Sequence, residues 1–141
     1  MRLSVFIANT LSTQLLTDLQ KIYADYLPPA ALTEKAISTL IAEPTTRLYM
    51  TMFNDRHIGA AKVSIEGSQA TLTQLTVRDL TRRRGVGKNL LTQIQKSLSA
   101  DNITHIRYDL QEVSEVDLLA TTAFLLDSGF DVEEKIATKN I

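Results

Sequence analysis

An α+β fold, with a mixed and mainly antiparallel sheet flanked by helices, is what this sequence predicts. Three observations carry the prediction. The middle of the chain, from residue 48 to 78, reads as consecutive strands joined by short polar turns. Two further strand-like stretches then alternate with helical ones. Two helical stretches also stand between the first strand and the middle, so the element order is β-α-α-β-β-β-α-β-α-β. At 141 residues the chain makes one domain, 1–141.

Each element has its own signal. Leu3, Val5 and Ile7 alternate with Ser4, Phe6 and Ala8, which is the period of a strand. Asn9, Thr10 and Ser12 are helix N-cap candidates. Residues 11–26 follow helical spacing, with Leu15, Leu19, Ile22 and Tyr26 in one apolar stripe, until Pro28 and Pro29 stop it. A second helix is expected over 33–42, capped by Thr33, with Leu40 and Ile41 facing inward and Pro44 ending it. Leu48-Tyr49-Met50-Thr51-Met52-Phe53 is a strand, Asn54-Asp55-Arg56 a turn, and 58–65 the returning strand, closed by Glu66-Gly67. Residues 70–78 form the next strand. The helix over 85–100 places Leu90, Leu91, Ile94 and Leu98 on one side. A strand follows at 103–110. The helix over 116–127 is closed by Gly129 at C′, and Phe130, Val132 and Ile136 make one last short strand.

Composition narrows the function. Hydrophobic residues make 44% and charged residues 22%, a globular balance. The chain has no cysteine, which removes disulfides, thiolate metal sites and a cysteine nucleophile. Its two histidines, His57 and His105, are far apart, so no metal site is expected. Fifteen basic and 16 acidic residues leave a net charge of −1, against nucleic-acid or membrane-surface binding. No apolar run approaches the ~20 residues of a membrane span. The short N-terminal run is not a signal peptide, so a cytoplasmic protein is expected.

One constellation carries chemistry. Arg82-Arg83-Arg84-Gly85-Val86-Gly87 lies between a strand and a helix. Glycines let backbone N–H groups converge on a ligand, and a helix start adds unsatisfied N–H groups and a positive dipole end. Arg78, Arg82, Arg83, Arg84 and Lys88 gather five of the 15 basic residues within eleven positions. This is an anion cradle suited to phosphates. It is not a P-loop, because Asn89 follows Gly87-Lys88, and Leu90 replaces the third glycine of a dinucleotide fingerprint.

Arg82, Gly85 and Gly87 do fill the pattern Arg/Gln-x-x-Gly-x-Gly/Ala after a strand. This resembles the acyl-coenzyme A pyrophosphate loop of the GNAT superfamily of N-acetyltransferases. The run from Ala123 to Phe130, with its Gly-Phe ending, is similar to the superfamily's last helix, and the element order agrees over almost the whole chain. The resemblance implies acetyl-CoA or coenzyme A at Thr81, Arg82, Arg83, Arg84, Gly85, Val86, Gly87 and Lys88. It also implies that Leu75, Thr76 and Val77 offer backbone groups to the pantetheine arm. A tyrosine that protonates the departing thiolate commonly follows the position of Phe124; here the residue is Leu125. The strand over 71–77 carries no carboxylate. Tyr108 and Glu112 could substitute, but a sheet residue and a surface carboxylate are the plainer expectations, and solvated roles are expected for both histidines. No catalytic residue is therefore assigned.

Further segments narrow the resemblance. Asp18-Leu19-Gln20-Lys21-Ile22, Arg47-Leu48-Tyr49, Phe53-Asn54-Asp55-Arg56 and Val77-Arg78-Asp79 are similar to the PanZ branch (also called PanM). That branch regulates aspartate 1-decarboxylase (PanD). The resemblance implies an acetyl-CoA sensor that binds the PanD proenzyme, promotes its self-cleavage to the pyruvoyl form and restrains the mature enzyme. Synthesis of β-alanine, pantothenate and coenzyme A would then be controlled. It implies partner contacts at Arg47, Asn54, Arg78 and Arg84. The segment 28–44 is longer than the branch leads one to expect. The competing reading is an N-acetyltransferase acting on a small-molecule or protein amine.

Overall fold

A computed structural model describes residues 3–78 and 85–141. Seven strands form one sheet, whose spatial order departs from chain order only in exchanging the last two strands. Strand β1 (Ser4–Ile7) leads to helix α1 (Thr13–Ile22), a 3-10 turn (Pro29–Leu32) and helix α2 (Glu34–Ala42). Strands β2 (Thr46–Phe53), β3 (Arg56–Glu66) and β4 (Gln69–Val77) make the antiparallel meander. Helix α3 (Val86–Ala100), strand β5 (His105–Asp109), helix α4 (Glu115–Asp127) and strands β6 (Asp131–Glu133) and β7 (Ile136–Asn140) complete the chain.

The helices start where a side chain can hold their orphan N–H groups. Ser12 Oγ accepts from the Leu15 N–H at 3.0 Å, and Thr33 Oγ1 from the Ala36 N–H at 3.1 Å. Helix α1 stops at Ile22, short of the expected Tyr26. The chain turns there, with the Tyr23 carbonyl accepting from both Tyr26 and Leu27. Tyr26 is 41% exposed and leaves the apolar stripe. In α2 the fully buried residue is Ile37, while Leu40 and Ile41 are only partly covered.

Alternation along the strands splits the core in two. Leu48, Met50 and Ala60 pack with α1 and α2 through Leu15, Leu19, Ile22 and Ile37. Tyr49, Ala61 and Val63 point the other way and pack with Leu90, Leu91, Ile94 and Leu98 of α3. The 28–44 segment thus supplies Leu32 and Ile37 to the first cluster.

The single last strand expected from Phe130, Val132 and Ile136 is instead a hairpin. Phe130 is buried as the residue after Gly129, which has φ +90°. Its N–H bonds the Leu125 carbonyl at 3.0 Å, and the Gly129 N–H bonds that of Leu126 at 3.1 Å, a Schellman closure. Lys139 of β7 then donates to the Ser128 carbonyl at 2.7 Å. Glu134, at φ +55°, turns the chain, so β7 slots antiparallel against β5 and leaves β6 outside. That turn has none of the usual turn residues.

His57, expected in solvent, is buried on β3 beside Asp18 of α1. Its Nδ1 lies 2.7 Å from Asp18 Oδ2, and its backbone N–H reaches the same oxygen at 3.3 Å. The Gln14 amide donates to both Asp18 oxygens at 2.9 Å. Burial pushes the Asp18 carboxyl upward, but the bonds from Gln14 and His57 outweigh it and hold the group below its usual range. A depressed carboxyl stabilises the fold above its unfolded pKa of about 4, and that contribution is lost as pH falls through the lower folded value. Asp18→Asn is therefore expected to cost about 1–3 kcal/mol at neutral pH. In urea unfolding across pH, the gap from the parent chain should hold above about pH 5 and close below about pH 4.

Candidate functional site

Strand β4 leaves its neighbour part-way along. β5 pairs with it in parallel only from Gln69↔His105 to Leu72↔Tyr108. Just beyond, β4 carries one extra residue relative to β3, between the pairs Lys62↔Thr73 and Ala60↔Thr76. This is a bulge, and Gln74 within it sits at φ +57°. A glutamine in that region is strained by about 1 kcal/mol, so the surroundings must hold it there.

Two tyrosines do so. Tyr23, from the end of α1, donates its hydroxyl to the Gln74 carbonyl at 2.7 Å. Tyr108, from β5, accepts the Leu75 N–H on its hydroxyl oxygen at 3.3 Å. Both rings are buried. Burial, aided by the neighbouring Tyr108, drives the Tyr23 phenol well above its usual range. Burial also raises Tyr108 to about 12; the Leu75 bond opposes the rise and Glu112 adds to it. Both phenols are therefore neutral at physiological pH.

Where the two strands part, a groove of about 900 Å³ opens, within the range of small-ligand sites. Thr73, Gln74, Leu75, Thr76 and Val77 form one wall, and Gly85 to Lys88 close one end. Gly85 caps α3 at φ +76°, and its Asn89 bond opens the helix. Among the described residues no side chain caps this helix start, and such a start offers N–H groups suited to an anion. A Cβ on Gly85 would meet none of the described residues within 4 Å, and its backbone angle is what calls for glycine. Asp109 and Glu112 follow Tyr108, whose hydroxyl meets Leu75, and so lie toward the bulge, while Lys88 follows Gly85 at the α3 start; Asp25 and Asp117 also line the groove. Such a groove suits an elongated ligand with an anionic head and a neutral tail.

The expected site residues divide accordingly. Leu75, Thr76, Val77, Gly85, Val86, Gly87 and Lys88 are brought together on the groove. Thr81, Arg82, Arg83 and Arg84 lie outside the described residues. Leu125 does not face the groove at all; it is fully buried in the core. The residues that α4 presents are Asp117, Ala120, Thr121 and Phe124, with no phenol among them. Tyr108 does more than fill the sheet, and its hydroxyl reaches the groove; exposed Glu112 lies on the groove's rim. His105 bonds Asn140 near the sheet's other side, at 2.8 Å. The bulge and the Tyr23 clamp had no sequence signal.

The expected partner residues are not all neighbours. Asn54 and Asp55 form a two-residue turn, with φ of +50° and +61°, closing β2 onto β3. The Arg78 N–H bonds the Ile58 carbonyl at 2.8 Å, so it belongs to the same end of the sheet as that turn. Arg47 stands at the other end of β2, roughly 23 Å away at strand spacing. There it pairs with Asp101 at 2.7 Å and donates to Tyr49 Oη at 3.0 Å.

Comparison with known proteins agrees with this geometry. Residues 2–138 match the family model described as an acetyltransferase (GNAT) domain, PanZ. The PanD regulatory factor of Escherichia coli K12 is 35% identical over 134 residues, covering 95% of each chain. That of Salmonella typhimurium is 32% identical over 133 residues, covering 94% of each. The solution structure of E. coli YhhK bound to coenzyme A superposes over the whole of both chains, with a TM-score of 0.81 and 30% identity. The PaiA N-acetyltransferase of Thermoplasma acidophilum, in complex with coenzyme A, shares the fold at a TM-score of 0.76 and 18% identity, covering 98% and 99% of the two chains. The split of β4 from β5, the uncapped helix start and these matches agree: the chain belongs to the PanZ family of GNAT domains.

Proposed function

We propose that this chain is an acetyl-CoA-dependent regulator of aspartate 1-decarboxylase. The observation that carries the reading is the groove between β4 and β5, closed by the Gly85 helix start, in a chain 32–35% identical to PanD regulatory factors. The pyrophosphate of coenzyme A would take the α3 N-terminus and the basic loop before it. The pantetheine arm would run along Thr76 and Val77 toward Leu75. Asp109 and Glu112, beside Tyr108 and the bulge, repel phosphate there and so favour this direction of the ligand.

Held this way, the ligand is retained rather than spent. Helix α4 offers the groove no phenol to protonate a leaving thiolate, and a protonated leaving group is what acyl transfer to an amine needs. The partner surface in this reading is the rigid Asn54–Asp55 turn with Arg78, at the end of the sheet where β4 runs toward the ligand loop. Arg84 would extend it. Arg47, already paired with Asp101, contributes at most to a separate contact. Bound ligand would neutralise part of the basic cluster beside that surface and so ease the approach of a partner. Docking then promotes self-cleavage of the proenzyme and restrains the mature enzyme.

Three outcomes test this reading. Gly85→Val puts a β-branched residue at φ +76°, where the cost is about 1–2 kcal/mol, and disturbs the anion end. Calorimetry should show acetyl-CoA affinity falling at least about tenfold with the chain still folded; unchanged affinity contradicts the site. Pull-down of the PanD proenzyme should need acetyl-CoA, and Asn54→Ala should lose capture while keeping ligand affinity. Equal capture with and without acetyl-CoA would contradict the regulatory reading. A thiol-release screen over amines should show turnover no faster than the background. Rapid acetylation of an amine, lost in Glu112→Gln, would favour the transferase reading.

A further inference from the structure

We infer that Tyr108 is the specificity residue by which this protein tells an acylated thioester from the free thiol. The inference rests on the coenzyme A reading above and adds a residue and a discrimination to it.

The argument begins with an inventory of one hydroxyl. A phenol has one proton to donate and lone pairs to accept with. Tyr108 Oη already accepts the Leu75 N–H. Among the described residues that is its one hydrogen bond, so its own proton is left over. The ring is only 4% exposed, and the groove is the open space that Tyr108 lines. A buried O–H without an acceptor is costly, by about 1–3 kcal/mol. An acceptor arriving in the groove at this point would relieve that cost. Burial and the nearby Glu112 keep the proton on the oxygen at neutral pH.

Position selects the acceptor. Tyr108 pairs with Leu72, the last pair before β4 and β5 separate, and its hydroxyl lies against the bulge. The anionic end of the ligand is drawn to the α3 start at Gly85 and Lys88, and Asp109 and Glu112, which follow Tyr108, disfavour it near the bulge. The opposite, neutral end therefore reaches the bulge. In an acyl thioester that end carries a carbonyl oxygen, a good acceptor. In the free thiol it carries only sulfur, a weak one. The acetyl group adds a methyl and this oxygen, and the oxygen is the part that the hydroxyl reads.

Tyr23 supplies the control. Its hydroxyl is spent on the Gln74 carbonyl, and its ring does not line the groove. Removing that hydroxyl loosens the same bulge without removing a donor from the groove.

The experiment is calorimetry of the full chain with acetyl-CoA and, separately, with free coenzyme A. The parent chain should prefer acetyl-CoA. Tyr108→Phe should weaken acetyl-CoA by about three- to tenfold, one neutral hydrogen bond's worth, and leave coenzyme A within about twofold. Tyr23→Phe should shift both ligands by a similar factor and keep their ratio. A preference that survives Tyr108→Phe, or an equal loss of both ligands, overturns the inference while leaving the binding site standing. A parent chain that binds the two equally also overturns it. A parent chain that binds neither overturns the coenzyme A reading and this inference together.

Discussion

The bulge at Gln74 and Leu75 is the constraint on which the site depends. A regular β4 would go on pairing with β5 and bury the edge that the groove needs. One extra residue turns the strand away, at a local cost of about 1 kcal/mol for a glutamine in the left-handed region. The distortion persists because its two exposed polar groups are answered from different parts of the fold. Tyr23 brings α1 to the Gln74 carbonyl, and Tyr108 brings β5 to the Leu75 amide. The first core cluster seats α1 and the second seats β5. Packing far from the groove therefore sets the groove's shape.

The same geometry places the groove and the surface proposed for the partner side by side. Val77 pairs with Gly59, and Arg78 bonds Ile58, so the strand that walls the groove ends beside the β2–β3 turn. The Asp18–His57 pair ties that region of β3 to α1. Helix α1 also carries Tyr23 at its end. One short helix thus braces both the bulge and the hairpin. A ligand that settles against the bulge and the α3 start has a short, well-packed route to the surface proposed for the partner.

Much of this was legible in the residues. Strand alternation, the Ser12 and Thr33 caps and the Gly129 stop place most elements, and the Gly85/Gly87 spacing points to the helix start that lines the groove. Other features had no local signature. Gln74 and Glu134 take left-handed angles that their types do not announce, so the bulge and the last hairpin were hidden, and with them β7's place between β5 and β6. His57 reads as a turn residue until Asp18, 39 positions away, is brought to it by α1 packing. Arg47 and Asn54 look like neighbours in a hairpin motif, yet they stand at opposite ends of the eight-residue strand β2. In each case the deciding partner is remote in sequence.

The most direct test is to follow the backbone amide resonances of the chain as coenzyme A is added. If the bulge and the α3 start are the ligand site, the largest changes fall at Leu75, Thr76, Gly85, Val86 and Gly87. The Leu75 amide, held by a bond of 3.3 Å, long for an N–H donor, should move among the most. Changes spread over the β5–β7–β6 edge, with Leu75 and the α3 start unmoved, would contradict the central claim that this bulge builds the binding site.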